Sequence, residues 1–461
     1  MEVGNTPKSE SYGLKSAILS PGETLAQSVA LIAPTGTPLM AVPLVYALAG
    51  QGCAIAYLIS TITIVLVALN VNQFARISSS PGSLYTYIAE HTHPILGMLS
   101  GWALLIAYVG TAAAVSAGCA NYIDVLLRDL FGVPVFPFGW ALLAVAVSCW
   151  MAYRDVQVSA RLMLYLEGVS ILLILIVAFG IIWQYGWRLD MAQLTLQGVT
   201  ASKLRMGLVM AMFSSVGFES ATSLGSEARD PLKTIPRAVI QSALLAGAIF
   251  VLCAYTEVLA FHIAGQDLGT SQAPMHVLAD IGGVPIFGLV IDIGAMISMF
   301  AATLACITAA ARVLLLMAHN GLAHGGLRRT HSRNETPGHA ILVTGIAAVA
   351  PVAVLAARGA GGLDIYGWLG ALATYGFIVA YGLVCLSLPK YLRGHGVFRP
   401  GAEILPWLAA TAMVLALIGN LYPVPEGPYG KLPYIYLIYL AAGLAWFFWN
   451  ARNQKSQPPQ T

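Results

Sequence analysis

Apolar runs of about 20 residues, separated by short stretches of Gly, Pro and charged residues, recur along almost the whole chain. Each run is about what a helix needs to cross a ~30 Å hydrocarbon layer at about 1.5 Å per residue. The spacing predicts helices at about 24–49, 51–72, 95–127, 138–153, 157–183 and 203–225. Six more are expected at about 237–262, 284–318, 338–356, 365–388, 404–421 and 433–450.

Two of these runs carry residues that break a helix. The first, TLAQSVALIAPTGTPLMAVPLVYALAG, places Pro34, Gly36 and Pro38 together near mid-membrane. Proline removes a backbone donor there, so the helix is expected to unwind. Thr37 followed by Pro38 reads as a fresh N-cap with proline at the first helical position, from which a second half-helix restarts. The free amides of Thr35, Gly36 and Thr37 would then face a cavity. A plain proline kink is the alternative reading of the same residues. The sixth run, MGLVMAMFSSVGFESATSLGSEARDP, has Ser214, Ser215 and Gly217 at its middle, followed by the acidic Glu219. The breaks fall in spans 1 and 6. Because that offset is odd, a repeat pairing the first five spans with the next five must be inverted across the membrane. That is the pattern of transporters with a midplane site between discontinuous helices.

Composition agrees with a membrane chain. Of 461 residues, 58% are hydrophobic and only 9% charged, against roughly 25% charged in soluble domains. The net charge of +3 is spread over short loops, with no basic stripe for a phosphate backbone, so nucleic acid is not an expected partner. The lipid bilayer is. Cys53, Cys119, Cys149, Cys253, Cys306 and Cys385 lie inside apolar runs, without metal-site spacing, and read as small buried hydrophobes. The polar stretch to about Ser20 has no signal-peptide pattern, so the first span is expected to be retained. With both termini cytoplasmic in an inner or plasma membrane, the outward loops hold only Arg128, Arg188, Lys203, Arg205, Arg358 and Lys431 of the 23 basic residues, as the positive-inside rule requires. Trp183, Trp187, Trp407, Trp446 and Trp449 fall near span ends and read as interfacial anchors.

At the sixth span the sequence resembles the amino acid/polyamine/organocation permease superfamily. FSSVGFESATSLGSEARDPLKTIPRAV is similar to that family's signature. NQFARISSSPGSLYTYI, GWALLIAYVG and AAARVLLLMAHNGLAHGGL look like further family blocks. The resemblance implies an all-α, LeuT-like fold of about twelve transmembrane helices, with a 5+5 inverted repeat and discontinuous helices 1 and 6. The expected organisation is a cytoplasmic tail at about residues 1–20, a transport core at 21–390, two peripheral helices at 391–450 and a second tail at 451–461. It also implies a substrate with an amino group and usually a carboxylate. One departure is plain: where the family's first break reads Gly, small residue, Gly, this chain has Pro34, Thr35, Gly36, and proline offers no amide hydrogen.

The expected substrate site joins Ala33, Thr35, Gly36 and Thr37 on the first break to Phe213, Ser214, Val216 and Gly217 on the second. Amides near Thr35 to Thr37 would meet a carboxylate, and carbonyls around Phe213, Ser214 and Val216 an ammonium. By resemblance Phe213 holds the place of an aromatic gate, and Tyr108 on the third span would close the pocket from the other side. Packing between helices is the competing role for each ring. Two carboxyls, Glu219 and Glu167, are candidates to carry a coupling proton. Some proton-coupled relatives use a lysine on the fifth helix, which this fifth span lacks, while Arg161 stands at its cytoplasmic edge. Ser298 and Thr303 would be the oxygen donors if sodium were the coupling ion, although such hydroxyls commonly bond their own helix.

Other features are read without a functional role. His91 and His93 lack a carboxylate partner for a metal site. Glu257 and Asp292 stand toward span ends, where snorkelling to water is expected. Arg328, Arg329 and Arg333 read as an orientation determinant. No Walker-type lysine follows the glycines of 359–362, so ATP drive is not expected. No cofactor, metal or catalytic set is implied. The sequence therefore reads as a proton-coupled amino acid symporter. An amine or polyamine uniporter or exchanger of the same fold is the alternative, with a channel or sensor further off.

Overall fold

The computed structural model describes residues 12–455 apart from 91, 133–136, 155, 187–188, 272, 282–284, 398–400, 423 and 425–426. Parts of both expected tails, together with His91, Trp187 and Arg188, lie outside the described residues. In chain order the helices are α1 (Pro21–Ile32), α2 (Gly36–Ala49), α3 (Cys53–Ala75), α4 (Leu84–Ala89), α5 (Pro94–Phe131), α6 (Pro137–Arg154), α7 (Val156–Gln184) and α8 (Met191–Leu194). They continue as α9 (Ala201–Ser215), α10 (Pro231–Ala264), α11 (Pro274–Ile281), α12 (Pro285–His319), α13 (Gly338–Ala357), α14 (Gly362–Gly394), α15 (Ile404–Leu421) and α16 (Leu432–Lys455). Setting aside the short α4, α8 and α11, and taking α1 with α2 as one interrupted span, these match the twelve expected spans.

Among the described residues, nine helical stretches are long and apolar enough to cross a bilayer, and the first, Pro21–Ala75, holds two passes. The shorter apolar α6 and the interrupted sixth span add to these. Large side chains such as Leu172, Ile346, Leu415 and Ile438 are more than half exposed around the outside. Hydrocarbon makes such a surface favourable. Trp183, Trp407 and Trp449 are exposed as well, as interfacial anchors are.

Local chemistry explains where the interrupted first span begins and stops. Ser20 Oγ accepts from Glu23 N at 3.3 Å while Glu23 Oε2 accepts from Ser20 N at 2.7 Å, a capping box with Pro21 at the first helical position. The helix ends before Pro34, which disfavours helical backbone in the residue preceding it. Ala33 instead turns left-handed at φ 51°, a conformation uncommon for alanine.

The expected restart at Pro38 is corrected. α2 begins two residues earlier, at Gly36, with Thr35 as its N-cap. Thr37 N already bonds Ala33 O at 2.8 Å, which draws the turn into the helix. The sixth span is α-helical only to Ser215; Val216 is extended, Gly217 adopts φ +98°, and Ser220–Leu224 form a tighter 3-10 turn. A Cβ on Gly217 would overlap the Leu31 side chain, so the backbone of this break lies directly against α1.

Long α5 is the central post, packing on both α12 and α14. A Cβ on Gly376 of α14 would overlap the Ala103 carbonyl of α5, so glycine permits this approach. At the end where the chain begins, backbone pairing closes the bundle. Ile18 N and Leu19 N each donate to Glu227 O at 2.9 Å, and Arg229 N donates to Leu19 O at 2.9 Å. Beside them Arg312 of α12 makes a bidentate pair with Glu227, Nε to Oε2 at 2.8 Å and Nη2 to Oε1 at 2.7 Å, with both side chains essentially unexposed.

Candidate functional site

The two breaks present opposite helix ends. α2 starts at Gly36, leaving amides at its N-terminus, and α9 stops at Ser215, leaving the carbonyls of its last turn without helical partners. α2 and α9 pack together, so a partly positive helix start and a partly negative helix end belong to adjoining elements.

At the first break the Thr35 side chain, although at the N-cap position, makes no capping hydrogen bond to its own helix. Its hydroxyl donates to Glu167 Oε2 on α7 at 3.3 Å. The Gly36 amide is satisfied from outside, donating to Ser298 Oγ on α12 at 3.2 Å. Thr37 Oγ1 turns back to Ile32 O at 2.8 Å. Glu167 is buried, and its Oε1 has no hydrogen-bond partner. Ala33, Thr35, Gly36 and Thr37 thus all lie at the first break. Of the three amides expected to be open, however, those of Gly36 and Thr37 have protein partners. Thr303 bonds Met299 O on its own helix at 2.9 Å, whereas Ser298 joins the break.

The second break is organised around Glu219, which is fully buried. Tyr108 of α5 donates to its Oε1 at 2.8 Å, and Tyr381 of α14 donates to Oε2 at 2.6 Å. The Tyr381 oxygen also accepts from Gly217 N at 3.2 Å. Ser83 extends the network, 2.7 Å from Thr222 Oγ1 and 3.4 Å from the Tyr108 oxygen. Ser28 of α1 ties the breaks together, donating to Phe218 O at 2.7 Å and accepting from Ala221 N at 2.9 Å. Phe213 lies edge-on to Tyr366, ring centroids 5.5 Å apart, and covers Gly370. Ser214 Oγ lies 2.9 Å from the Tyr57 oxygen. The two carboxyls serve different breaks, Glu167 the first and Glu219 the second.

Two side chains sit otherwise than expected. Glu257 and Asp292 do not snorkel: both are fully buried, because their helices are covered on that face by neighbours. Neither Glu257 carboxyl oxygen has a hydrogen-bond partner, and Asp292 pairs with His276. Sequence reasoning also passed over Tyr381, Tyr57 and Met299, which are ordinary apolar-span residues until the fold aims them. Met299 fills the space beside the first break, 2.8 Å from where a Cβ on Gly36 would stand. The Glu227–Arg312 pair did leave a signal, a lone arginine inside the apolar run AAARVLLLMA.

The amino acid permease family matches residues 24–459. The chain is 24% identical over 312 residues to the branched-chain amino acid permease BcaP of Bacillus subtilis, covering 63% of this chain and 64% of that relative. It is 25% identical over 391 residues to the BcaP of Lactococcus lactis, covering 81% and 82%. The low-affinity putrescine importer PlaP of Escherichia coli K12 is 26% identical over 349 residues, 72% of each chain. Among solved structures, a mutant of the Eremococcus coleocola manganese transporter aligns with TM-score 0.58 at 12% identity, over 96% of this chain and 98% of that one. That likeness is one of fold.

Proposed function

Because the chain belongs to the amino acid permease family, we propose that it is a secondary active transporter that carries amino acids by alternating access, coupled to proton symport. The carrying observation is Glu219: a buried carboxyl within an unwound span, held by phenols from two other spans. Both of its oxygens act as acceptors. Taking up a proton removes the charge and turns one oxygen into a donor, so both phenol bonds weaken and the one at the protonated oxygen is the first to reverse or break. Protonation at this atom therefore changes how α5 and α14 grip the sixth span. A substrate zwitterion would lie between the breaks, its carboxylate toward the start of α2 and its ammonium toward the end of α9, where the helix dipoles favour those charges. Ala33, Thr35, Gly36 and Thr37 would line one side, and Ser214, Val216 and Gly217 the other. Phe213 serves as the gate, and Tyr108 both lines the pocket and reports the state of Glu219. The closed end bounded by Glu227–Arg312 is taken as cytoplasmic, with both termini on that side.

Uptake into liposomes tests the proposal. An inward proton gradient is expected to stimulate uptake of an amino acid, and Glu219→Gln to weaken that stimulation. Sodium-dependent uptake, or obligatory exchange indifferent to both gradients, would overturn proton coupling. A second reading, an amine or polyamine carrier of the same fold, is favoured by one observation. Pro34 offers no amide, and the amides of Gly36 and Thr37 already have protein partners, which leaves less for a carboxylate. Competition between an amino acid and its decarboxylated amine separates the two readings.

A further inference from the structure

Away from both breaks, three ligating side chains from three elements converge. Asp129 in the last turn of α5, His276 on α11 and Asp292 near the start of α12 offer ligand atoms that all lie within 4.8 Å of one another. His276 Nδ1 stands 2.6 Å from Asp292 Oδ2. The other oxygen of Asp292, Oδ1, is buried and has no hydrogen-bond partner, on a side chain that is 0% exposed. A buried carboxylate oxygen left unpaired is costly unless a cation or donor meets it. The imidazole has a seat made for it: a Cβ on Gly288 would come 3.0 Å from the ring's Cγ, so the ring lies where that helix carries no side chain. Asp280 adds a further negative charge near the pair. The neighbouring cation Arg128 is taken up by Asp124, 2.9 Å away.

We propose that Asp129, His276 and Asp292 form a binding site for a divalent transition-metal cation of the zinc type. One imidazole with carboxylates suits zinc and its neighbours, whereas magnesium and calcium prefer oxygen ligands alone. Zinc bonds nitrogen and carboxylate oxygen at about 2.0–2.2 Å, so two tetrahedral ligands stand about 3.3 Å apart. The 2.6 Å His276–Asp292 contact then opens by about 0.7 Å as the ion enters and the proton between them is released to water. Asp129, exposed at the helix end, supplies the third ligand, and water completes the shell. Bound there, the ion ties the end of α5 to α11 and to the start of α12.

Zinc chloride titrated calorimetrically into purified full-length protein in detergent, free of chelator, tests the site. The wild type is expected to bind one zinc per chain. Asp129→Asn is expected to weaken binding, and His276→Gln to abolish stoichiometric binding. Asp129 is exposed, so its variant should keep the metal-free melting temperature of the wild type, which separates ligand loss from misfolding. Absence of saturable binding by the wild type would overturn the proposal. So would unchanged binding in both variants, which would put the zinc on other histidines.

Discussion

The phenolic oxygen of Tyr381 lies 2.6 Å from Glu219 Oε2, so a residue in the middle of α14 holds the carboxyl that follows the break in the sixth span. The same oxygen accepts the Gly217 amide at 3.2 Å. One side chain thus grips the unwound segment at two points. Tyr381→Phe removes both bonds, whereas Tyr108→Phe removes the contact to Glu219 and leaves Gly217 held. A hydrogen bond to a charged group is worth about 1.5–3 kcal/mol, or roughly 10–100-fold. Initial rates of proton-driven uptake are expected to fall by about tenfold or more in Tyr381→Phe, and by less in Tyr108→Phe. Equal rates in the two variants would remove the special place given to Tyr381.

Glu167 offers a contrast, because its partners are Thr35 and the first break rather than the phenols. Glu167→Gln is expected to raise the apparent KM while leaving stimulation by a proton gradient in place. If instead stimulation vanishes in this variant and persists in Glu219→Gln, the coupling proton belongs to the first break.

Space at the first break is set by Gly36 and Met299. A Cβ at position 36 would stand 2.8 Å from Met299 Cε and 2.9 Å from its Cγ, and methionine is adaptable. Gly36→Ala is therefore expected to fold and bind weakly, and Gly36→Leu to insert but lose binding. Adding Met299→Ala to Gly36→Leu should recover part of it. A thermal-shift titration over common amino acids reads all three, and the double variant measures the coupling. Normal affinity in Gly36→Leu would displace the site from this break.

Phe213 packs edge-on to Tyr366 and over Gly370. If it gates, Phe213→Ala lowers the transport rate more than it lowers ligand binding. A matching loss of thermal stability, with no separate transport defect, would mark the ring as packing alone.

The Glu227–Arg312 pair closes one end of the bundle with both partners buried. Arg312→Met leaves the Glu227 charge unpaired, which is expected to cost about 3–5 kcal/mol, while replacing both partners by apolar residues should recover most of it. Thermal unfolding of Arg312→Met and of the double variant Glu227→Leu with Arg312→Met checks this. A double variant no more stable than the single would show that the pair is not an isolated unit.

The sequence by itself determined the class of the molecule and the places where its helices fail. Runs of about 20 apolar residues admit few structures in a bilayer, since every backbone group must be bonded within its own span. Pro34 and Gly217 act on their own backbone, so both breaks were legible locally, although the restart at Gly36 rather than Pro38 depended on the Thr37–Ala33 bond. Only the tertiary structure decided what the breaks meet. Tyr381 lies 162 positions from Glu219, and Thr35 lies 132 from Glu167. No periodicity encodes contacts at that range, because they arise from how spans pack rather than from any one span. The same reason accounts for Glu257 and Asp292. Position along a helix measures depth in the membrane, but burial is set by which neighbours cover that face, and those neighbours are brought there by the fold.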